Sequence, residues 1–234
     1  LKTNLHPEDA VCAIAARRFG RPVKWRATRA DEFLAGAHGR DQVSDAALAF
    51  DGDGRILGLR VKTKSDLGAY LTPAGAVVAL LLGPRIVVGT YRVSAVDLEV
   101  SACLTNTCPT APYRGAGRPE AIYVIERLIE EAAVTLGLDP VEIRRRNFIP
   151  PDAFPYPTPS GDAYDCGEFE RVLDEALVSA DWNGFAARRD ASAQAGLLEG
   201  ARARLRMGRQ SREWNLKTVG TGAYLCAWAI SKFR

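Results

Sequence analysis

Residues 111–121 read APYRGAGRPEA, with Arg114 and Arg118 bracketing Gly115, Ala116 and Gly117. Glycine removes side-chain bulk, so backbone here can approach a bound group closely. Two guanidinium groups beside it point to an anionic or polar group. A strand expected over 94–105 runs into this stretch, and Pro119 opens a helix. Amide N–H groups in such a loop converge near the positive end of a helix dipole, which favours an anion. Arg114 can add a bidentate contact to a phosphate or a metal-bound oxygen. The alternative is a plain turn whose arginines pair with nearby acids such as Glu120. The motif lacks the Gly-Lys-Ser/Thr of a P-loop and the spacing of a dinucleotide GxGxxG.

Several elements must position this loop. His6-Pro7-Glu8-Asp9 reads as a helix start, with a following apolar run that closes at Gly20 and Pro22. Val23, Trp25 and Ala27 alternate with Lys24 and Arg26, which predicts a strand over 22–28. Gln42 to Phe50 and Arg55 to Thr63 read as a hairpin joined by Asp51-Gly52-Asp53-Gly54. That DGDG lacks the later ligands and closing Glu of a calcium loop, so a turn is expected. After the Gly-rich loop, Ala121, Val124, Ile125, Leu128, Ile129 and Ala132 recur at helical spacing up to Gly137. Asp139-Pro140 caps a shorter helix, a Pro-rich strap covers 150–167, and 168–180 is helical again. Strands first and helices later give an α+β fold.

Composition narrows the function classes. Of 234 residues, 47% are hydrophobic, which suits a packed core and argues against disorder. A net charge of +3 supplies no field that would draw nucleic acid, and the basic run Arg202 to Arg212 reads as a solvated face or tail. Five cysteines include no CxxC pair, and there are two histidines, so no zinc or iron–sulfur site made by this chain alone is expected. The odd cysteine count favours reduced thiols and a cytoplasmic setting. No apolar run approaches the roughly 18 residues of a membrane helix. The chain opens LKTNLHPEDA without Met and reads as part of something longer.

The stretch YRGAGRPEAIYVIERLIEEAAVTLGLDPVEIRRRNFIP resembles the molybdopterin-binding large subunit of the molybdenum hydroxylases, the xanthine dehydrogenase, aldehyde oxidase and aerobic carbon monoxide dehydrogenase family. LKTNLHPEDAVCAIAARRFGRPVKW, FDGDGRILGLRVKTKSDLGAY and FPYPTPSGDAYDCGEFERVLDEAL are similar to other parts of that family in the same order. The likeness covers roughly residues 1–180. It implies residues 1–193 as part of a molybdopterin-binding domain and 194–234 as a divergent or truncated segment.

The resemblance further implies molybdenum held by the dithiolene of a pterin, in the cytosine dinucleotide form. Water supplies the oxygen added to an electron-poor carbon, and two electrons leave for 2Fe-2S clusters and FAD. Those groups belong to an iron–sulfur subunit and a flavin subunit, assembled as a dimer of heterotrimers around a small-molecule substrate. Arg114 falls where the family keeps an arginine beside the cofactor, so Tyr113, Arg114, Gly115, Ala116 and Gly117 are the expected cofactor-binding residues. No catalytic or metal-ligating residue is assigned. The family's GGGFG motif would precede Leu1 and its catalytic Glu would follow Arg234. Gly115 stands where carbon monoxide dehydrogenases carry the copper-binding Cys, so carbon monoxide oxidation is not expected. Ala116 replaces an aromatic residue of the xanthine enzymes, and 80–82 offers only apolar side chains, which disfavours purines. An aldehyde or N-heterocycle remains. The alternative is a cofactor-free relative acting as a binding or assembly protein.

Overall fold

The computed structural model describes residues 6–197, so the segment expected to diverge lies, from residue 198 on, outside the described residues. Helix α1 (Pro7–Phe19) starts at a proline with Glu8 and Asp9 in its first turn, as the sequence predicts. The expected strand over 22–28 does not form. Its alternation is real, but Val23 and Trp25 are exposed, and no described strand pairs with the segment. Alternation states which side chains would share a face; a strand also needs a neighbour for its N–H and C=O groups. Helix α2 (Arg29–Ala35) follows, capped by Thr28, which accepts from Asp31 N–H.

Strands β1 (Gln42–Phe50), β2 (Ile56–Asp66) and β3 (Val96–Cys103) form a sheet in the order β1-β2-β3. The β1–β2 turn is organised by Asp51, whose Oδ1 accepts from Asp53 N–H at 2.9 Å and Arg55 N–H at 2.8 Å. Between β2 and β3, α3 (Pro73–Val77) widens into a π turn (Val78–Leu82) and ends in the single turn α4 (Gly83–Arg85). Gly83 N–H bonds Val78 C=O, five residues back, which is the π register. Helix α5 (Arg118–Leu136) buries Ala121, Ile125, Ile129 and Ala133 along one stripe. In α6 (Pro140–Asn147) the Asp139 carboxylate accepts from Val141 N–H and Glu142 N–H. The Pro-rich strap holds a two-residue ladder, β4 (Tyr156–Pro157) with β5 (Ala163–Tyr164). Helices α7 (Phe169–Ser179) and α8 (Phe185–Gln194) complete the described chain. Among the described residues no helix is long and apolar enough to cross a membrane.

The chain divides into two compact units. One comprises residues 6–45, 62–84 and 98–120; the other 46–61, 85–97 and 121–197. The second holds the larger core, including Leu59, Val88, Tyr91, Ile125, Ile129, Ile143 and Leu173. Charges are buried there too. Arg144 donates from Nε and Nη2 to Glu126 Oε2 at 3.1 and 2.8 Å, and from Nη2 to Glu130 Oε1 at 2.6 Å. Tyr91 donates its hydroxyl to Glu126 Oε1 at 2.6 Å. Burial works to discharge the Arg144 guanidinium, but Glu126, Tyr91 and Glu130 outweigh it and hold its pKa above the usual arginine value. Asn147, also buried, accepts Ile56 N–H and donates to Gly54 and Ile143 carbonyls, satisfying backbone that packing would otherwise orphan.

Candidate cofactor loop

The candidate site lies wholly in the first unit and is built from β3 onward. After Cys103 the chain turns, and Asp66 fixes that turn. Its carboxylate accepts from Gly68 N–H and from the hydroxyls of Thr105 and Thr107. The Gly68 amide, then the Thr105 hydroxyl, hold the Asp66 carboxyl below its ordinary pKa. The chain then runs beside residues 37–38 as a parallel bridge. His38 N–H bonds Pro109 C=O at 3.0 Å, and Ala111 N–H bonds His38 C=O at 2.7 Å. Thr72, the N-cap of α3, donates its hydroxyl to Thr110 C=O and ties that helix to the approaching strand.

The loop itself is a left-handed arch. Gly115, Ala116 and Gly117 have φ of 98°, 45° and 85°. Two tight bonds close it: Ala116 N–H to Tyr113 C=O at 2.8 Å, and Arg118 N–H to Gly115 C=O at 3.2 Å. Gly117 is buried against the π turn. A Cβ there would stand 2.7 Å from Gly83 N and 2.9 Å from Val78 O, the two atoms that define the π register. Only glycine therefore seats the arch on that turn. Ala116, the one side chain between the glycines, is half-buried and adopts the left-handed region without glycine's freedom.

Among the described residues, the N–H groups of Gly115 and Gly117 donate to no acceptor, and the guanidinium groups of Arg114 and Arg118 pair with nothing. Arg114 is exposed and Arg118 half-buried. The arch leads directly into the N-terminus of the 19-residue α5. Free amides, a helix N-terminus and unpaired guanidinium groups together can hold a polar, negatively charged group.

The alternative reading, arginines of the loop satisfied by Glu120, is not what forms. Glu120 faces Arg40, with Oε1 3.7 Å from Arg40 Nε. Its other oxygen, Oε2, is buried and has no hydrogen-bond partner among the described residues. Arg40 also lies 4.5 Å over the Tyr113 ring and donates Nη2 to Arg114 C=O. Thus the structure brings Tyr113, Arg114, Gly115, Ala116 and Gly117 together as one arch, and adds Arg40 and Glu120. Nothing in the sequence marked Arg40, which stands 74 residues before Arg114.

Residues 1–148 match the family described as the molybdopterin cofactor-binding domain. Among curated relatives, subunit gamma of the 6-hydroxypseudooxynicotine dehydrogenase complex of Paenarthrobacter nicotinovorans is 35% identical over 189 residues, covering 78% of this chain and 24% of that protein. The carbon monoxide dehydrogenase large chain of Hydrogenophaga pseudoflava is 34% identical over 199 residues, covering 81% of this chain and 24% of that one. Quinoline 2-oxidoreductase from Pseudomonas putida 86 superposes with a TM-score of 0.77 at 37% identity, over 83% of this chain and 25% of that chain. The chain thus spans about a quarter of the length of these relatives.

Proposed function

The chain belongs to the molybdopterin cofactor-binding domain family, and from that premise we propose that it is a segment of the catalytic subunit of a molybdenum hydroxylase. The observation that carries the reading is the arch at 113–117, where among the described residues two amides donate to nothing and the Arg114 guanidinium has no partner, leading into a helix N-terminus. The residues fit the cofactor. Gly117 seats the arch against the π turn, and Gly115 and Gly117 present N–H groups that nothing among the described residues accepts.

In this proposal Gly115 and Gly117 donate to the cofactor's polar edge, and Arg114 balances its negative charge. The molybdenum–molybdopterin group, in its cytosine dinucleotide form, supplies the oxidation of an electron-poor carbon with oxygen from water. Tyr113 contributes the carbonyl that closes the arch. Ala116 puts only a methyl group between the glycines, so an aldehyde or N-heterocycle has room. Apolar Leu80 and Leu81, on the π turn against which Gly117 packs, are half exposed and suit an apolar substrate edge. That relatives include a quinoline oxidoreductase supports an N-heterocycle.

The proposal extends to the assembly: electrons pass to 2Fe-2S and FAD groups on an iron–sulfur subunit and a flavin subunit, in a cytoplasmic dimer of heterotrimers. Residues 1–193 would belong to the cofactor-binding domain and 194–234 to a divergent segment. The test is Arg114→Ala in the complete enzyme, measuring molybdenum per polypeptide and turnover. Removing a charge-assisted contact should lower cofactor retention or turnover roughly tenfold or more. Unchanged molybdenum content together with unchanged turnover would sink the loop's assignment.

A further inference from the structure

We infer that Arg40 is the positioning residue of the cofactor loop: one guanidinium clamps both ends of the Gly115–Gly117 arch and so governs how firmly the cofactor is retained. The inference rests on the reading of that arch as the cofactor cradle.

The arch has little stiffness of its own. Two of its three residues are glycines, and two intraloop hydrogen bonds close it. A loop of that kind samples many backbone states, so donors aimed at a ligand must be held by something else. Arg40 reaches three points around it. Its guanidinium covers the ring of Tyr113, which precedes the arch. Its Nη2 donates to the carbonyl of Arg114, at the arch's first step. Its Nε faces Glu120, just beyond the arch, at 3.7 Å. A flat guanidinium can stack on a ring while donating in its own plane; an ammonium cannot do both.

The chain is arranged to deliver this side chain. The bridge at His38 and Thr110 lays residues 37–40 along the approach to the loop. At Gly39 a Cβ would stand 2.9 Å from Tyr113 Cβ, so the strand comes closer than another residue would allow. Arg40 itself has φ of 67°, a left-handed conformation that a non-glycine residue rarely adopts. Strain of this kind persists where the surroundings over-determine it, and here it turns the guanidinium onto the loop. Glu120 completes the clamp from the helix side. Its buried Oε2 has no hydrogen-bond partner among the described residues and its Oε1 faces Arg40, so Arg40 is the cation that makes burying this carboxylate tolerable.

The experiment compares the protein with Arg40→Ala and Arg40→Lys variants by two readouts. Hydrogen exchange, read on the protein prepared without cofactor, reports the loop directly. The amides of Ala116 and Arg118 are bonded within the arch, whereas those of Gly115 and Gly117 have no acceptor among the described residues and serve as an internal reference. In Arg40→Ala, Ala116 and Arg118 should exchange roughly tenfold faster or more, with the glycine amides and the α5 amides beyond Ala121 unchanged. Arg40→Lys should fall between, because the charge stays and the fork is lost. Unchanged exchange at Ala116 and Arg118 in Arg40→Ala overturns the clamp. Release of molybdenum and pterin from the complete enzyme after desalting is the second readout. Faster release from Arg40→Ala, partly restored by Lys, is expected. Equal release from a loaded wild type and a loaded variant overturns the link to retention. If the wild type itself binds neither molybdenum nor pterin, the cofactor reading and the retention claim fall together, and the exchange result still decides the clamp.

Discussion

Replacing Arg144 by Met tests what holds the second unit's buried charges. The Arg144 side chain is 3% exposed and that of its partner Glu126 4%. Methionine restores much of the apolar volume but none of the donors. Glu126 then keeps only the Tyr91 hydroxyl, and the Pro140 carbonyl loses its contact with Nη1. Stranding one charge of a buried pair costs about 3–5 kcal/mol. With a urea slope of about 2 kcal/mol/M, the midpoint should fall by about 1.5–2.5 M, read from circular dichroism near neutral pH. Adding Glu126→Gln removes the charge and leaves an acceptor for Tyr91, so it should recover about 2 kcal/mol. A midpoint within about 0.5 M of wild type, or no recovery in the double variant, would refute the argument that the charge pair, rather than packing alone, governs this core.

Gly117→Ala should be far more damaging than Gly137→Ala. Both glycines have positive φ, but only at 117 would the new Cβ meet backbone under 3 Å away, whereas 137 is open. Gly137→Ala should cost about 1 kcal/mol, while Gly117→Ala should displace the arch from the π turn and lower molybdenum content in the complete enzyme. Equal midpoints and equal metal content for the two variants would contradict the seating argument. The Tyr164 hydroxyl is pushed up to about 12 by burial first, then by Asp162 and Tyr156. The unfolded tyrosine releases its proton near 10, so stability present below that pH should be lost between about pH 10 and 12, by up to roughly 2–3 kcal/mol. Tyr164→Phe should flatten that part of the alkaline stability profile, and an unaltered slope would count against it.

Local chemistry was enough to read much of this chain. Apolar spacing marks α5 because about 3.6 residues fill a turn and a half-buried helix must keep one stripe dry. Asp139-Pro140 marks α6 because a carboxylate accepts orphan amides and proline needs none. The DGDG turn and the Gly-rich arch are legible because glycine supplies backbone freedom and the closing hydrogen bonds lie within a few residues, whereas the π turn and Arg40 that hold the arch are distant in sequence. The motif also carried the family, since the arch and its helix are contiguous in sequence.

What the sequence could not decide were choices among partners far apart in the chain. Residues 22–28 alternate like a strand, yet pairing depends on a neighbour that alternation does not supply. Arg144, Arg145 and Arg146 are one run in sequence, but the helix turns Arg144 inward to Glu126 while Arg145 meets Glu170 and Asp174 at the surface. Glu120 had two arginines within six residues and took Arg40 instead. Composition counts charges, and local spacing sets which face each one occupies. Only the tertiary fold brings residues 40 and 120 within reach, because a Coulomb contact depends on distance through space, not along the chain.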